Sequence, residues 1–328
     1  MGRFRWVGRQ KLFSGVDMGS GTQGKEYRRG VDLLRFVACF GIVWDHARAY
    51  GADIGYLALA VFLLLTSFFA VQSFDRAEAR GQGAGFWLPR AQRILMPWLV
   101  WCVIFKGVQY LVADDPASVP LLSDPFNLLV GSWIHLWFLP FAMIFLMVIP
   151  PIARSITTRR RLIIAGVLLV VASLPLGLLH GAVTGSWSGG PAAFPQPFPQ
   201  WFFSLPLFLY GALAAIAHRL GAVDVVLVTA AVASALLFAV LPEFASLQMI
   251  LAALVLEAVW RSPITGAWAT RLAASAFGIY LMHPFFMLVA FKLFGAGMNR
   301  EFGAVFAFCA SWAAAEVMMR LPGLRKIV

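Results

Sequence analysis

The first long apolar segment carries an arginine and a histidine eleven positions apart, in Val31-Asp-Leu-Leu-Arg35-Phe-Val-Ala-Cys-Phe-Gly-Ile-Val-Trp-Asp-His46. A guanidinium and an imidazole are costly inside a bilayer, so such groups are functional candidates by default. At helical rise, eleven residues separate them by about 16 Å along the axis. One depth can therefore hold an anionic group while another does proton chemistry. Neutral imidazole can take a proton from a hydroxyl or accept an acyl group, because it titrates near the working pH. A helix-end histidine sharing hydrogen bonds with Trp44 or Tyr50 is the equally weighted alternative. Asp45 is adjacent to His46, but neighbours on a helix face apart. It orients His46 only if another segment brings the two together.

Other segments supply further candidates. Arg90 and Arg93 lie three apart at the start of the third apolar run, on one helical face, where they can fork onto phosphates or simply mark a cytoplasmic loop. Arg35 adds a third guanidinium at similar depth, and Asp32 is placed to steady it at i,i+3. His135 and Trp137 open the fourth run at the depth of His46. In the ninth run Tyr280 and His283 share a face, with Pro284 placed to kink the helix. Structural packing is the first expectation for His283, and a polar lining of the site is the alternative. Lys106, Glu257 and Glu316 are additional intramembrane charges, the last two expected to pair with arginines. His180 and His218 read as ordinary interfacial residues. No cluster has metal-ligand spacing, and Cys39, Cys102 and Cys309 read as small core residues.

These groups need elements to position them, and composition says which. The 328 residues are 61% hydrophobic and 12% charged, with mean hydropathy +0.80. A soluble domain carries roughly twice that charged fraction. Several apolar runs reach the ~20 residues that cross a hydrocarbon core, and none alternates with the dyad period of a barrel strand. The expected fold is all-α, a polytopic membrane bundle of about ten spans. They cover about 31–50, 54–74, 94–113, 127–150, 162–180, 200–217, 222–241, 244–260, 272–292 and 302–321.

Charge orients the bundle. Of the 26 basic residues, 21 fall on the N-terminal tail, the C-terminal tail and alternate loops, while the opposite loops carry Asp53, Asp114, Asp115, Asp124, Glu243 and Glu301. The positive-inside rule then puts both termini in the cytoplasm. An odd number of spans would destroy the alternation. The net charge of +11 thus reflects topology and anionic inner-leaflet lipid, and nucleic acid is not expected as a partner. Residues 1–29 read as a basic cytoplasmic segment, 30–322 as the transmembrane domain and 323–328 as a cytoplasmic tail. The N-terminal segment reads as one without a cleavable signal, and Met1–Phe13 interleaves basic and aromatic residues as an interfacial segment can, with a disordered basic tail the equally weighted alternative. Residues 181–199, rich in Gly, Pro and Ser, read as an outer lid or an irregular linker.

The spaced Arg35–His46 pair resembles the signature of the acyltransferase-3 family, integral-membrane O-acyltransferases of bacterial surface glycans. Arg90-Ala-Gln-Arg93 is similar to its Arg-x-x-Arg element, His135-Leu-Trp137-Phe-Leu to its Trp-Phe-Leu segment, and Tyr280-Leu-Met-His283-Pro284 to its Tyr-Leu-x-His-Pro element. Leu65-Thr66-Ser67-Phe68 stands where a Ser-Gly pair is usual, with Phe68 in place of the glycine. The resemblance implies acetyl-CoA or another short acyl-CoA as cytoplasmic donor, and a glycan or lipid-linked glycan as acceptor. It implies Arg35, Arg90 and Arg93 as cofactor-phosphate ligands and His46 with Arg35 as catalytic residues. Asp45, Ser67, His135, Trp137, Tyr280 and His283 become candidate lining, no metal is implied, and polysaccharide-assembly proteins are the expected partners. A glycan translocator or a non-catalytic scaffold would share the hydropathy but not need the Arg–His spacing.

The alternation of charge makes a topological prediction. A reporter fused after Val328 should report cytoplasm and one inserted near Gly189 the outer side. Both on one side would overturn the ten-span reading.

Overall fold

The structure is a computed structural model that describes residues 29–115, 119, 126–184, 195–264 and 266–328. The interfacial reading of Met1–Phe13 and the central part of the 181–199 loop lie outside the described residues. Among the described residues the chain is helical, without strands. The order is α1 (Arg29–His46), α2 (Ala52–Glu78), α3 (Leu88–Val112), α4 (Asn127–Val130), α5 (Phe138–Phe145), α6 (Ile149–Ser155) and α7 (Arg159–Thr184). Then follow α8 (Phe198–Leu220), α9 (Val223–Val240), α10 (Gln248–Trp260), α11 (Ala267–Phe294) and α12 (Arg300–Arg320).

Eight helical stretches are long and apolar enough to cross a membrane, and the chain is a multi-pass membrane protein. The other two expected spans are helical but differ in kind: α1 carries Asp32, Arg35 and Asp45 within 18 residues, and Phe244–Trp260 is shorter. One boundary is corrected. The fourth span starts at Ile134, not near 127, and runs to Ser155 through alternating 3₁₀ and α segments. Gly131 causes the offset: it turns the chain at φ +86°, and a Cβ there would meet Cys102 Sγ at 2.8 Å and Trp98 Nε1 at 3.1 Å. Only glycine accepts that conformation in that space.

Helix α2 is the spine, packed against α1, α8, α10 and α6, while α11 packs on α1 and α12. In a bilayer, helix association depends on close packing of small residues and on interhelical hydrogen bonds. Both occur here. A Cβ on Gly55 would stand 2.9 Å from the Gly41 carbonyl oxygen, so α1 and α2 touch backbone to backbone. A Cβ on Gly211 would overlap the Leu64 carbonyl and Ser67 Oγ, and the Ser67 hydroxyl bonds the Phe208 carbonyl across the same α2–α8 contact. Cys39 is buried between α1 and α11, its thiol 3.2 Å from the Ala276 carbonyl, whereas Cys309 is exposed on the bundle's outer face.

The basic loop residues also tie helix ends together. Arg219 bonds Asp75 at 2.6 Å and the carbonyls of Ala153 and Ile156, joining α8 to α2 and α6. Arg154 forks onto Glu78 at 3.0 and 2.9 Å, and Arg159 pairs with Asp224. The last two are exposed, so they fix geometry more than they stabilise. His218 departs from the interfacial expectation: it bonds Glu257 at 2.8 Å and stacks on Trp260 at 4.2 Å. Glu257 reaches an arginine, Arg261, only at 3.9 Å. The buried carboxylate takes the partner that the neighbouring helix brings beside it.

The α2–α8 contact gives a stability prediction. Gly211→Val should cost about 1–3 kcal/mol or more through overpacking and lower the thermal unfolding midpoint of the detergent-purified protein. An unchanged midpoint would mean that the two helices do not meet there.

Candidate active site

The end of α1 is held in place before it is used. After His46 the chain turns through Arg48 at φ +53° and Gly51 at φ +71°. A non-glycine residue at positive φ is uncommon and is strained unless its surroundings hold it. Here Arg300 bonds the Arg48 carbonyl, the Tyr50 N–H donates to Glu301 Oε1 at 2.9 Å, and the Trp44 indole donates to the Tyr50 carbonyl at 2.9 Å. The turn is thereby clamped to the start of α12. Trp44 and Tyr50 bond each other, and His46 is left to the helix.

His46 Nδ1 lies 2.8 Å from the Ile42 carbonyl. A carbonyl only accepts, so Nδ1 carries the proton and Nε2 keeps its lone pair in the neutral ring. The ring is exposed at the helix end. Its donor nitrogen is thus turned inward, an orientation that leaves Nε2 able to accept a proton.

The same device recurs twice. Pro284 has no N–H, so the Tyr280 carbonyl four residues earlier lacks its helical donor. His283 Nδ1 supplies one at 2.8 Å. Its Nε2 is thus also a bare acceptor, fully buried and without a hydrogen-bond partner among the described residues. His135, placed by the 3₁₀ start of the fourth span, sets Nε2 at 3.3 Å from the Leu281 carbonyl, and its Nδ1 is buried without a partner among the described residues. The Tyr280 hydroxyl donates to the His135 carbonyl. The rings meet edge to face: His46 to His283 at 5.0 Å between centroids and His283 to His135 at 5.4 Å.

A cavity of about 360 Å³ opens beside this cluster. Asp45, His46, Tyr56, His135, Trp137 and Tyr280 line it, and His283 backs it, buried against His46 and His135. The structure thus brings six of the sequence candidates, His46, Asp45, His135, Trp137, Tyr280 and His283, into one place. Trp137 is buried in the wall. Ser67 is elsewhere: fully buried, with its hydroxyl committed to the Phe208 and Leu64 carbonyls, it belongs to the α2–α8 packing. Tyr56 was not foreseen. It is one aromatic in an apolar run, and only the Gly41–Gly55 approach brings it beside Asp45. Among the described residues no group of three His, Cys, Asp or Glu side chains is arranged to hold a metal ion.

The guanidiniums form a second locus. Arg35 stacks on Phe69, 4.4 Å from the ring centroid. Arg90 stacks on Phe86 at 3.8 Å, donates to the Phe86 carbonyl at 2.7 Å and bonds the Ser73 hydroxyl. Phe69 and Ser73 are one turn apart on α2, about 6 Å along its axis. Arg35 and Arg90 therefore flank the same stripe of that helix. Arg93 is exposed, and Asp32 accepts from Thr270 Oγ1 at 3.0 Å. The two members of the Arg-x-x-Arg element differ: Arg90 is anchored in the α2–α3 corner, and Arg93 faces outward. Arg90 uses two of its five donors in that corner.

The acyltransferase-3 family model, described as an acyltransferase domain, matches residues 28–316. No curated protein and no solved structure matches the chain.

The role given to the proline predicts a spectroscopic change. Pro284→Ala returns an N–H to the Tyr280 carbonyl and should release His283 from a single tautomer, visible in the ¹⁵N shifts of its ring in labelled protein. A His283 signal that keeps one tautomer would show that the proline does not set it.

Proposed function

This chain belongs to the acyltransferase-3 family and is a membrane acyltransferase, and from that premise we propose that it moves a short acyl group, acetyl foremost, from cytoplasmic acyl-CoA to a hydroxyl of an exported glycan or lipid-linked glycan. The observation that carries this reading is His46: an exposed imidazole whose acceptor nitrogen has no hydrogen-bond partner among the described residues, lining a cavity and on the same helix as Arg35. The protein works in the bacterial inner membrane with both termini cytoplasmic, among membrane lipids and alongside polysaccharide-assembly proteins.

In this reading Arg35, Arg90 and Arg93 take the donor's phosphates, and the pantetheine arm spans the roughly 16 Å to His46. Arg35 and Arg90, held on one stripe of α2, are preorganised for this. Arg93 adds an exposed charge at the surface, and the N–H groups left on the Arg90 fork can donate to a phosphate oxygen. At the other end His46 Nε2 takes the proton of the acceptor hydroxyl as its oxygen attacks the thioester carbonyl. The carbon–sulfur bond breaks, and the departing thiolate receives that proton to leave as the free thiol. A second route passes the acyl group through His46 itself, with the hydroxyl attacking in a second step. His135, Trp137 and Tyr280 shape the cavity around the reacting groups, and Asp45 sits beside them on its wall. The family match favours transfer over translocation, which needs no such base.

Substitution separates the two loci. His46→Ala should lower acyl transfer by 10²–10⁴-fold, the usual loss of general-base help, while acetyl-CoA still binds. Arg35→Ala and the Arg90→Ala/Arg93→Ala double variant should weaken binding first, each lost charge-assisted bond costing about 1.5–3 kcal/mol. Mass spectrometry after labelled acetyl-CoA decides the route, since label on His46 marks a carrier. Wild-type turnover in His46→Ala would remove the base assignment, and unchanged affinity in the arginine variants would reduce them to topology signals.

A further inference from the structure

We infer that the packed rings of Tyr56 and Phe203 restrict the donor's acyl group to a short chain, by walling the His46 cavity off from a larger apolar cavity behind it. The inference rests on the acyl-CoA reading above and concerns its substrate class.

The larger cavity holds about 630 Å³ between α7, α8, α9 and α10. Gly177, Phe203, Leu207, Leu237, Leu241 and Met249 give it a largely hydrocarbon surface. Its serines already have partners. Ser173 donates to the Leu169 carbonyl at 2.7 Å, Ser246 donates to the Leu241 carbonyl at 2.7 Å, and Ser234 accepts from the Ile250 N–H at 3.2 Å. His180 is likewise engaged, with Nδ1 2.8 Å from the Pro199 carbonyl. That leaves Gln248 and Glu243, too few groups to satisfy the hydroxyls of a sugar ring, whose burial without partners is unfavourable. An alkyl chain needs none.

The partition between the cavities is thin. Tyr56 lines the His46 cavity and Phe203 lines the larger one. Their ring centroids are 5.3 Å apart with planes at 30°. His180 also packs on Phe203, at 5.2 Å between centroids, so Phe203 is in contact with two rings. An acyl group bound at His46 that grows toward α2 meets Tyr56 while Phe203 blocks the tyrosine's retreat. Close packing makes such a wall intolerant of added methylenes. Removing Phe203 would let Tyr56 swing aside and join the two spaces, and a longer chain would then gain contact instead of clashing.

The test compares acetyl-CoA, butyryl-CoA and octanoyl-CoA, labelled in the acyl group, as donors to native membranes, and as competitors for acetyl-CoA on the purified protein. Wild type should transfer acetyl well and octanoyl poorly. Phe203→Ala, which touches neither His46 nor the arginines, should keep acetyl transfer and raise the octanoyl-to-acetyl ratio by roughly tenfold or more, the scale of discrimination by pocket size. Adding Ala245→Phe, which refills the larger cavity, should cancel that gain. Octanoyl transfer by wild type at the acetyl rate would overturn the inference. So would Phe203→Ala with intact acetyl transfer and no octanoyl gain. If Phe203→Ala does not fold, Phe203→Leu should show the same shift in smaller measure, and its absence there would also overturn the wall. Failure of wild type to use any acyl-CoA would instead refute the donor assignment, which keeps the two claims distinguishable.

Discussion

An imidazole inside an apolar helical bundle has two nitrogens to satisfy, and the nearest hydrogen-bonding groups are helix carbonyls. A carbonyl can only accept. Each of the three histidines at this site therefore turns one N–H into a helix and presents a bare nitrogen on its other side: His46 through Ile42, His283 through Tyr280, His135 through Leu281. The pairing fixes tautomer and ring direction together, without a carboxylate partner. It also explains why Pro284 follows His283 directly: the proline frees the carbonyl that the histidine needs.

The rest of the bundle serves that arrangement. The Gly41–Gly55 approach brings α2 close enough to α1 for Tyr56 to close the cavity beside Asp45. The turn after His46 is clamped to α12 by Glu301 and Arg300, so α1 ends at the histidine rather than fraying past it. The break at Gly131 starts the fourth span late and in 3₁₀ form, which sets His135 against Tyr280 and Trp137 in the cavity wall. At the other locus α2 carries both the Phe69 face under Arg35 and the Ser73 hydroxyl on Arg90. One helix thus relates the two ends of the proposed reaction, and its packing on α8 holds them in register.

The differences between sequence position and place in the fold have a common cause. His218 reads as interfacial because it lies at the end of an apolar run; Glu257 arrives from another helix. Ser67 reads as a site residue from its position in a motif, yet its hydroxyl is taken by a carbonyl of α8. Arg90 and Arg93 look equivalent on a helical wheel, but only Arg90 meets the α2–α3 corner. In each case the deciding partner is distant in sequence.

What the sequence by itself determined is what depends on local composition and one-dimensional order. Apolar run lengths set the helices, because backbone groups in lipid must be satisfied within the segment. The family follows from motifs whose order is a property of the chain. Arg35, His46 and the His–Pro pair stand out because ionisable residues are rare in apolar runs. The tertiary structure alone decided which of these groups meet. Convergence of His46, His135 and His283, the entry of Tyr56, the exit of Ser67 and the partition at Phe203 all depend on helix rotation and close approach. Small residues and interhelical hydrogen bonds set those, and no local pattern encodes the partner's position.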